Sequence, residues 1–245
     1  MYNLLISLAA GIVVALLVTL FGFSWWAGIV PGIIAFLAVY VVLARRTMQQ
    51  VQLVMARVQK DLSTQPSNPR EMQTLLARAV KTVESAMPLA RWQFLIGGEL
   101  HAHIGMLHYI GKNHDEAAKH FAVASKRNFT AQAMAGALHY RRQEHDRMRE
   151  AFELAVKHGK KESVLWAAYA WCLIQLKDRS GALAVLNRGV EKNPSDEKLK
   201  NALGQVQNDK RLKMRPFEPA WWQFQLEPPP TNFGGGGRRV QFMRR

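Results

Sequence analysis

The N-terminal part of the chain is an almost unbroken apolar stretch, and its first charged side chains are Arg45 and Arg46. A helix of about 20 apolar residues crosses the hydrocarbon core of a bilayer, so this stretch is long enough for two crossings. We predict one span at Leu4–Phe23 and a second at Ala27–Leu43, separated by a very short turn. Residues 1–44 are therefore interpreted as a transmembrane helical hairpin.

The residues that flank the two predicted spans indicate their orientation. Trp25 and Trp26 lie in the turn, and indole rings favour the membrane–water interface. Arg45 and Arg46 follow the second span, and basic residues at that position are typical of the cytoplasmic side. We therefore expect a cytoplasmic N-terminus and body at a membrane, for which the bacterial inner membrane is the first choice, with anionic lipid headgroups near residues 45–60. A cleaved signal peptide is the alternative, although the first residues carry no basic side chain.

An amphipathic neck is predicted after the second span, in residues 45–69. Apolar side chains recur there at intervals of three and four residues, at Met48, Val51, Met55, Val58 and Leu62. This spacing is that of a heptad seam, but it lasts for only about two heptads. Two interpretations remain open: the stripe packs on the chain's own soluble domain, or it forms a homodimer through residues 48–62. The GxxxG pair Gly28 and Gly32 is a further candidate for helix association.

Three segments of the next region share a small–large–small pattern. They are Ala117-x-x-x-Phe121-x-x-Ala124, Met148-x-x-x-Phe152-x-x-Ala155 and Ala182-x-x-x-Leu186-x-x-Gly189. Their starts are separated by 31 and 34 residues. Small residues allow helices to cross closely, and the broad apolar stripe of each unit has to be covered by a neighbouring unit. We predict an all-α repeat domain over residues 70–209, ended by a capping helix at Asp196–Asn208.

This repeated pattern resembles the tetratricopeptide repeat family, which is built from helix–turn–helix units of 34 residues. The last unit carries the signature spacing at Trp166, Ala170, Leu173, Ala182, Leu186, Gly189 and Pro194. The resemblance covers roughly residues 98–196 and implies a solenoid of about three helix pairs. It also implies a scaffold for docking proteins, with a groove whose positions fall on Met106, Tyr109, Tyr140, Arg141, Trp171 and Ile174. These side chains favour an extended or helical apolar peptide, with Arg141 as a lone charged contact. The alternative is that several of the aromatic residues only pack on the adjoining helix.

The sequence contains no constellation that predicts catalysis, a cofactor or a metal site. Five of the eight histidines lie between residues 101 and 120, but none forms an HExxH or a zinc-type spacing. Cys172 lies between two apolar residues of a helix and is interpreted as a buried small hydrophobic side chain. We therefore predict that the chain is not an enzyme.

The C-terminal tail, residues 210–245, combines basic and aromatic side chains with proline and glycine. It holds eight basic and two acidic residues, and its aromatic motif contains Phe217, Trp221, Trp222 and Phe224. Proline and glycine disfavour regular structure, so we expect a disordered or extended segment. Three hypotheses remain: the motif docks on a partner or on the chain's own repeats, it contacts the membrane, or it binds nucleic acid, which is the least favoured.

The net charge of +15 belongs entirely to the part of the chain that follows the apolar hairpin. Such a body is attracted to an anionic leaflet. We predict a membrane-anchored scaffold or adaptor that docks protein partners at the membrane and helps to assemble a complex. An accessory factor of membrane-protein biogenesis or export, which binds clients transiently, is the alternative. An RNA-tethering protein is a more distant one.

Overall fold

The structure, a computed structural model, describes residues 1–22, 24–63 and 68–228, and its regular elements in these ranges are all helical. The α-helices are α1 (Tyr2–Leu20), α2 (Trp25–Ser63), α3 (Pro69–Glu84), α4 (Ile96–Ile110), α5 (His114–Val123), α6 (Phe129–Arg141), α7 (His145–His158), α8 (Ser163–Gln175), α9 (Arg179–Lys192) and α10 (Glu197–Gln207). Short 3-10 helices occupy Met87–Arg91, Arg215–Phe217 and Ala220–Phe224. The all-α prediction is thus confirmed for the described part. The end of the predicted first span, the middle of the predicted linker and tail residues 229–245 lie outside it.

The chain forms two compact units, Met1–Gln132 and Ala133–Arg245, and the boundary between them falls within α6. The first unit contains the apolar hairpin, the neck and the helices α3 to α5. The second contains α7 to α10 and the described part of the tail.

Helices α1 and α2 pack tightly because glycines line their contact. A Cβ atom added to Gly28 would lie 2.7 Å from the carbonyl oxygen of Ala15, and one added to Gly11 would lie 2.8 Å from that of Gly32. The Gly28 and Gly32 pair therefore serves the hairpin itself. Both helices are long and apolar enough to cross a membrane.

Helix α2 continues without a break from the apolar span into the neck. Val58 of the neck is buried in the core of the first unit, together with Leu76, Val80, Val83, Leu100, Ile104 and Leu107. Val51 and Met55 pack against the same core with part of their surface open. The neck stripe therefore packs on the chain's own helices, which is the first of the two interpretations of the heptad seam. Val58 is buried in this packing and is not available to pair with a second copy of the chain.

In the first two repeats, a glycine on the preceding helix makes room for the large residue of the small–large–small pattern. A Cβ atom on Gly105 of α4 would lie 2.8 Å from the ring of Phe121, and one on Gly136 would lie 2.7 Å from the ring of Phe152. Glycine thus admits the aromatic ring of the next helix into direct contact with the backbone.

Side-chain caps begin helices α3 and α10. The Glu71 N–H donates to the Asn68 side chain at 2.8 Å, and Pro69 occupies the first helical position of α3. Asp196 accepts hydrogen bonds from two backbone N–H groups at the start of α10, as the predicted capping helix requires.

Candidate protein-docking surfaces

An open cleft lies between the neck and α4 in the first unit, with a volume of about 440 Å³. We call it the neck cleft; it is lined by Met48, Val51, Gln52, Met55, Ala56, Gln59, Gln93, Leu95, Ile96, Glu99 and His103. One wall is the apolar stripe of the neck, and the other is the first turns of α4. Only a neck helix that continues into the soluble body places these two walls side by side.

The neck cleft is apolar with a few polar groups placed among its walls. The side-chain oxygen of Gln93 is buried beside the cleft and has no hydrogen-bond partner in the described part of the chain. Glu99 already accepts a hydrogen bond from Asn128 at 2.9 Å. Burial lowers the pKa of His103, and the nearby Glu99 carboxylate opposes that shift. Methionines on the neck wall adapt to irregular apolar partners.

The two predicted groove residues of the first unit, Met106 and Tyr109, differ in their burial. Met106 is half-buried on α4, seven residues after Glu99 of the neck cleft and therefore on the same helical stripe. Tyr109 is fully buried, and its ring packs against those of His114 and Phe121 at centroid distances of 5.4 and 6.3 Å. The assignment of Tyr109 to an open groove is therefore wrong, because α5 covers that face of α4.

The predicted groove of the second unit is occupied by the chain's own tail. The ring of Tyr140 lies edge-on to Trp171 at 5.8 Å, and Trp171 in turn contacts Trp221 of the tail at 5.4 Å. The Arg141 guanidinium donates to the carbonyl oxygen of Gln225. Ile174, on the same helix as Trp171, is half-buried. The side chains expected to receive a peptide thus receive residues from their own chain.

We call residues 212–225 of the tail the strap. Its buried side chains are Leu212, Met214, Phe217, Trp221 and Phe224, whereas Trp222 is half-buried. The backbone N–H of Lys213 donates to the Gln205 side chain of α10 at 2.8 Å, which ties the start of the strap to the last helix. The strap is therefore compact, and of the hypotheses for the aromatic motif it corresponds to docking on the chain's own repeats. Proline and glycine alone did not indicate this, because the burial of the rings depends on the helices beneath them.

A second groove runs along α7 and α9 in the second unit, with a volume of about 820 Å³. The Arg188 guanidinium donates to both carboxylate oxygens of Glu153, at 2.9 and 2.7 Å, and lies 5.6 Å from the centre of the Trp166 ring. These hydrogen bonds hold the pKa of Glu153 below its usual range. Burial raises the pKa of the neighbouring Tyr169 to about 12. The groove is thus lined by a preorganised ion pair between Arg188 and Glu153.

Histidines cluster at the α4–α5 contact. The Nδ1 atoms of His101 and His120 are 3.0 Å apart, and the His108 ring stacks on His120 at 5.6 Å. Burial, and then the two neighbouring histidines, lowers the pKa of His120. Within the described ranges, no three His, Cys, Asp or Glu side chains are placed to hold a metal ion. Cys172 is fully buried, and burial raises the pKa of its thiol.

The residues predicted to flank the membrane lie at the two ends of the apolar part of α2. Trp25 and Trp26 open the helix with their rings 4.0 Å apart, and both are exposed. Arg45 and Arg46 are exposed where the apolar part of the same helix ends.

Residues 163–206, which form α8, α9 and most of α10, match the family described as tetratricopeptide repeat. No curated protein sequence matches the chain. The matched segment coincides with the last of the three predicted repeats, which carries the full signature spacing.

Proposed function

Because the chain carries a tetratricopeptide repeat, a fold that serves as a scaffold for protein–protein interaction, we propose that it is a membrane-anchored scaffold. The hairpin holds the body at the cytoplasmic face of a membrane, most simply a bacterial inner membrane. There the body docks a protein partner and helps to assemble a complex. The proposal assigns binding to the chain, and it includes no catalytic step.

One observation carries this proposal: α2 extends as one helix from Trp25 to Ser63. Its first half is apolar enough to cross a bilayer, and its second half contributes Val58 to the core of the first unit. A helix of 39 residues is about 58 Å long at 1.5 Å per residue, so it exceeds one bilayer core by roughly 28 Å. The first unit is thus joined to the hairpin through the packing of the neck in its core.

The neck cleft is the proposed place for the partner. It is open and largely apolar, which suits a peptide that presents apolar side chains. The α8 face is the less favourable choice, because a partner would first have to displace the strap.

Filling the neck cleft tests the assignment. Ala56 is exposed in the cleft, so Ala56→Trp would occupy it, whereas Ala184→Trp places the same ring on an exposed site of α9 outside the described cavities. A photo-crosslinking residue at Gln52 should capture one protein in native membranes. We expect the captured amount to fall in Ala56→Trp and to stay unchanged in Ala184→Trp. Equal capture in all three proteins would refute the cleft as the docking site.

Thiol accessibility tests the proposed topology independently. Cys172 is fully buried and does not compete for the reagent in the folded chain. In intact cells a membrane-impermeant maleimide should label Ser24→Cys in the hairpin turn and leave Arg46→Cys unlabelled until the cells are lysed. The opposite pattern would place the body outside the cytoplasm.

A role in membrane-protein biogenesis or export is the second candidate, and the methionines of the neck cleft favour it. Met48 and Met55 give the cleft a wall that repacks around different apolar segments. Stoichiometry separates the two functions. A scaffold retains one partner at a constant molar ratio, whereas a biogenesis factor yields many substoichiometric clients.

A further inference from the structure

The start of α1 is bonded to a short segment that precedes α4. We call this segment, residues 91–95, the juxtamembrane loop; it reads Arg91-Trp92-Gln93-Phe94-Leu95. The amino group of Met1 donates to the carbonyl oxygen of Arg91, and the Asn3 N–H donates to that of Trp92 at 3.2 Å. The rings of Tyr2 and Trp92 meet edge to face at 5.4 Å. The loop is therefore held against the first turn of the hairpin.

This first turn lies at the end of the apolar hairpin. The Asn3 side-chain amide donates to the Thr47 hydroxyl at 3.0 Å, and both residues are buried between α1 and α2. Thr47 directly follows Arg45 and Arg46, where the apolar part of α2 ends. The stretch of α2 between Trp25 and Ala44 is about 30 Å long, which equals the thickness of the hydrocarbon core. Asn3 and Thr47 thus mark the boundary of that core, and the loop bonded to Asn3 lies at the same level.

The loop presents large apolar side chains that the described part of the chain leaves uncovered. Phe94 is 74% exposed, Leu95 51% and Trp92 41%. Three such residues within four positions form a local patch, and apolar patches rimmed by charge mark interaction sites. The rim here is cationic, because Arg91 of the loop is exposed, as are Arg45 and Arg46 of α2.

We propose that the juxtamembrane loop is a second membrane contact, in which Trp92, Phe94 and Leu95 enter the interface of the leaflet where the hairpin ends. The arginines beside the loop meet anionic headgroups of the same leaflet. The occupant of this patch is a lipid surface because the patch is continuous with the membrane-crossing hairpin and carries the matching charge. This inference rests on the proposed membrane anchorage and goes beyond it.

The contact would fix the first repeat at the bilayer. Ile96, the first residue of α4, directly follows the loop and is buried in the core that also contains Val58 of the neck. A body held through α1, α2 and the loop cannot swing freely on one helix. The neck cleft, whose wall includes Leu95, would then open close to the headgroups and favour partners that are themselves at the membrane.

Depth-dependent quenching in the full-length chain tests this contact. Single cysteines carrying an environment-sensitive fluorophore are placed at Phe94, at Val13 within α1 and at Ile110 at the far end of α4. Ile110 is 41% exposed, like Trp92, but it lies about 21 Å along the helix from Ile96. Each protein is reconstituted in vesicles of phosphatidylcholine and phosphatidylglycerol that contain lipids spin-labelled near the headgroup or near the chain end.

The three positions separate the possible results. We expect the Phe94 label to be blue-shifted and quenched best by the shallow spin label, the Val13 label to be quenched best by the deep one, and the Ile110 label to remain water-like. If Val13 is quenched but Phe94 behaves like Ile110, the hairpin is inserted and the loop contact is refuted. If Val13 is not quenched either, the membrane anchorage fails and the loop contact with it.

Discussion

Replacing Trp221 by alanine should release the strap from α8. The Trp221 side chain is fully buried, where it contacts the rings of Trp171 at 5.4 Å and Phe224 at 6.3 Å. Truncation of a buried tryptophan to alanine costs about 3–5 kcal/mol, because both the apolar contacts and the filled volume are lost. The free energy that opposes opening of this face should fall by the same amount.

The only cysteine of the chain reports this opening. Cys172 follows Trp171 on α8 and lies beside Tyr140, whose pKa is raised by burial and then by that neighbouring thiol. Burial keeps the thiol of Cys172 protonated and inaccessible, so a thiol reagent reacts only after the packing around it opens. Since 1.4 kcal/mol corresponds to a factor of ten, the labelling rate should rise by about two to three and a half orders of magnitude.

Trp222→Ala is the matched control, since the same residue type is removed from the same 3-10 helix at a half-buried position. We expect a clearly smaller acceleration for it, because less surface is taken from water in the folded state. A Trp221→Ala protein whose Cys172 reacts no faster than that of the wild type would refute this reasoning, because release of the strap would then leave the packing around Cys172 closed.

Three further predictions concern the helix contacts and the histidine cluster. Gly136→Ala should lower the free energy of unfolding by about 1–3 kcal/mol in a denaturant titration, since its Cβ would lie 2.7 Å from the buried Phe152 ring. The control is Gly204→Ala, whose Cβ meets no atom within 4 Å and which should raise the free energy of unfolding by about 0.4–1 kcal/mol. Equal effects of the two substitutions would contradict the close helix crossing at Gly136. The pKa of His120 is lowered from 6.5 in the folded chain, so its contribution to stability is present above pH 6.5 and is lost as the pH falls through the lowered value. The protection factors for hydrogen exchange in α4 and α5, corrected for the intrinsic pH dependence of exchange, should therefore fall on acidification below that pH, and unchanged protection factors would oppose the assignment. Gly28→Leu should separate α1 from α2, because its Cβ would lie 2.7 Å from a backbone carbonyl, and a spin-label distance across the hairpin that stays unchanged in vesicles would refute this.

The strap covers part of α8 in the second unit, and a partner at that face would have to displace it. A tetratricopeptide face that is already occupied by buried aromatic rings cannot receive a second peptide without losing these contacts. A partner that binds α8 would first have to release the strap, which costs free energy. The apparent affinity of that partner would equal its intrinsic affinity multiplied by the fraction of molecules in which the strap is released. Among the described residues none occupies the neck cleft in this way, and this difference is why the first unit is the proposed docking site.

Local patterns were sufficient for the architecture. The apolar run ended by Arg45 determined the two long helices, and the recurring small–large spacing determined the helix pairs, because burial of an apolar stripe at a period of 3.6 residues leaves few alternatives to packed helices. The cap at Asn68 and Pro69 likewise follows from orphan N–H groups at a helix start, which is a purely local requirement.

The candidate sites depended on contacts between residues far apart in the chain, which no local pattern contains. The sequence placed Tyr109 and Trp171 on the same kind of groove position, yet α5 buries Tyr109 and the strap covers Trp171. The aromatic tail motif was recognised as unusual, but its partner could be identified only once the strap was seen on α8. The juxtamembrane loop carried no signal in the sequence, because its place beside the start of α1 is set by hydrogen bonds from Met1 and Asn3 across about 90 residues of chain. The sequence by itself thus determined which helices form, and tertiary structure alone decided which of their faces remain open.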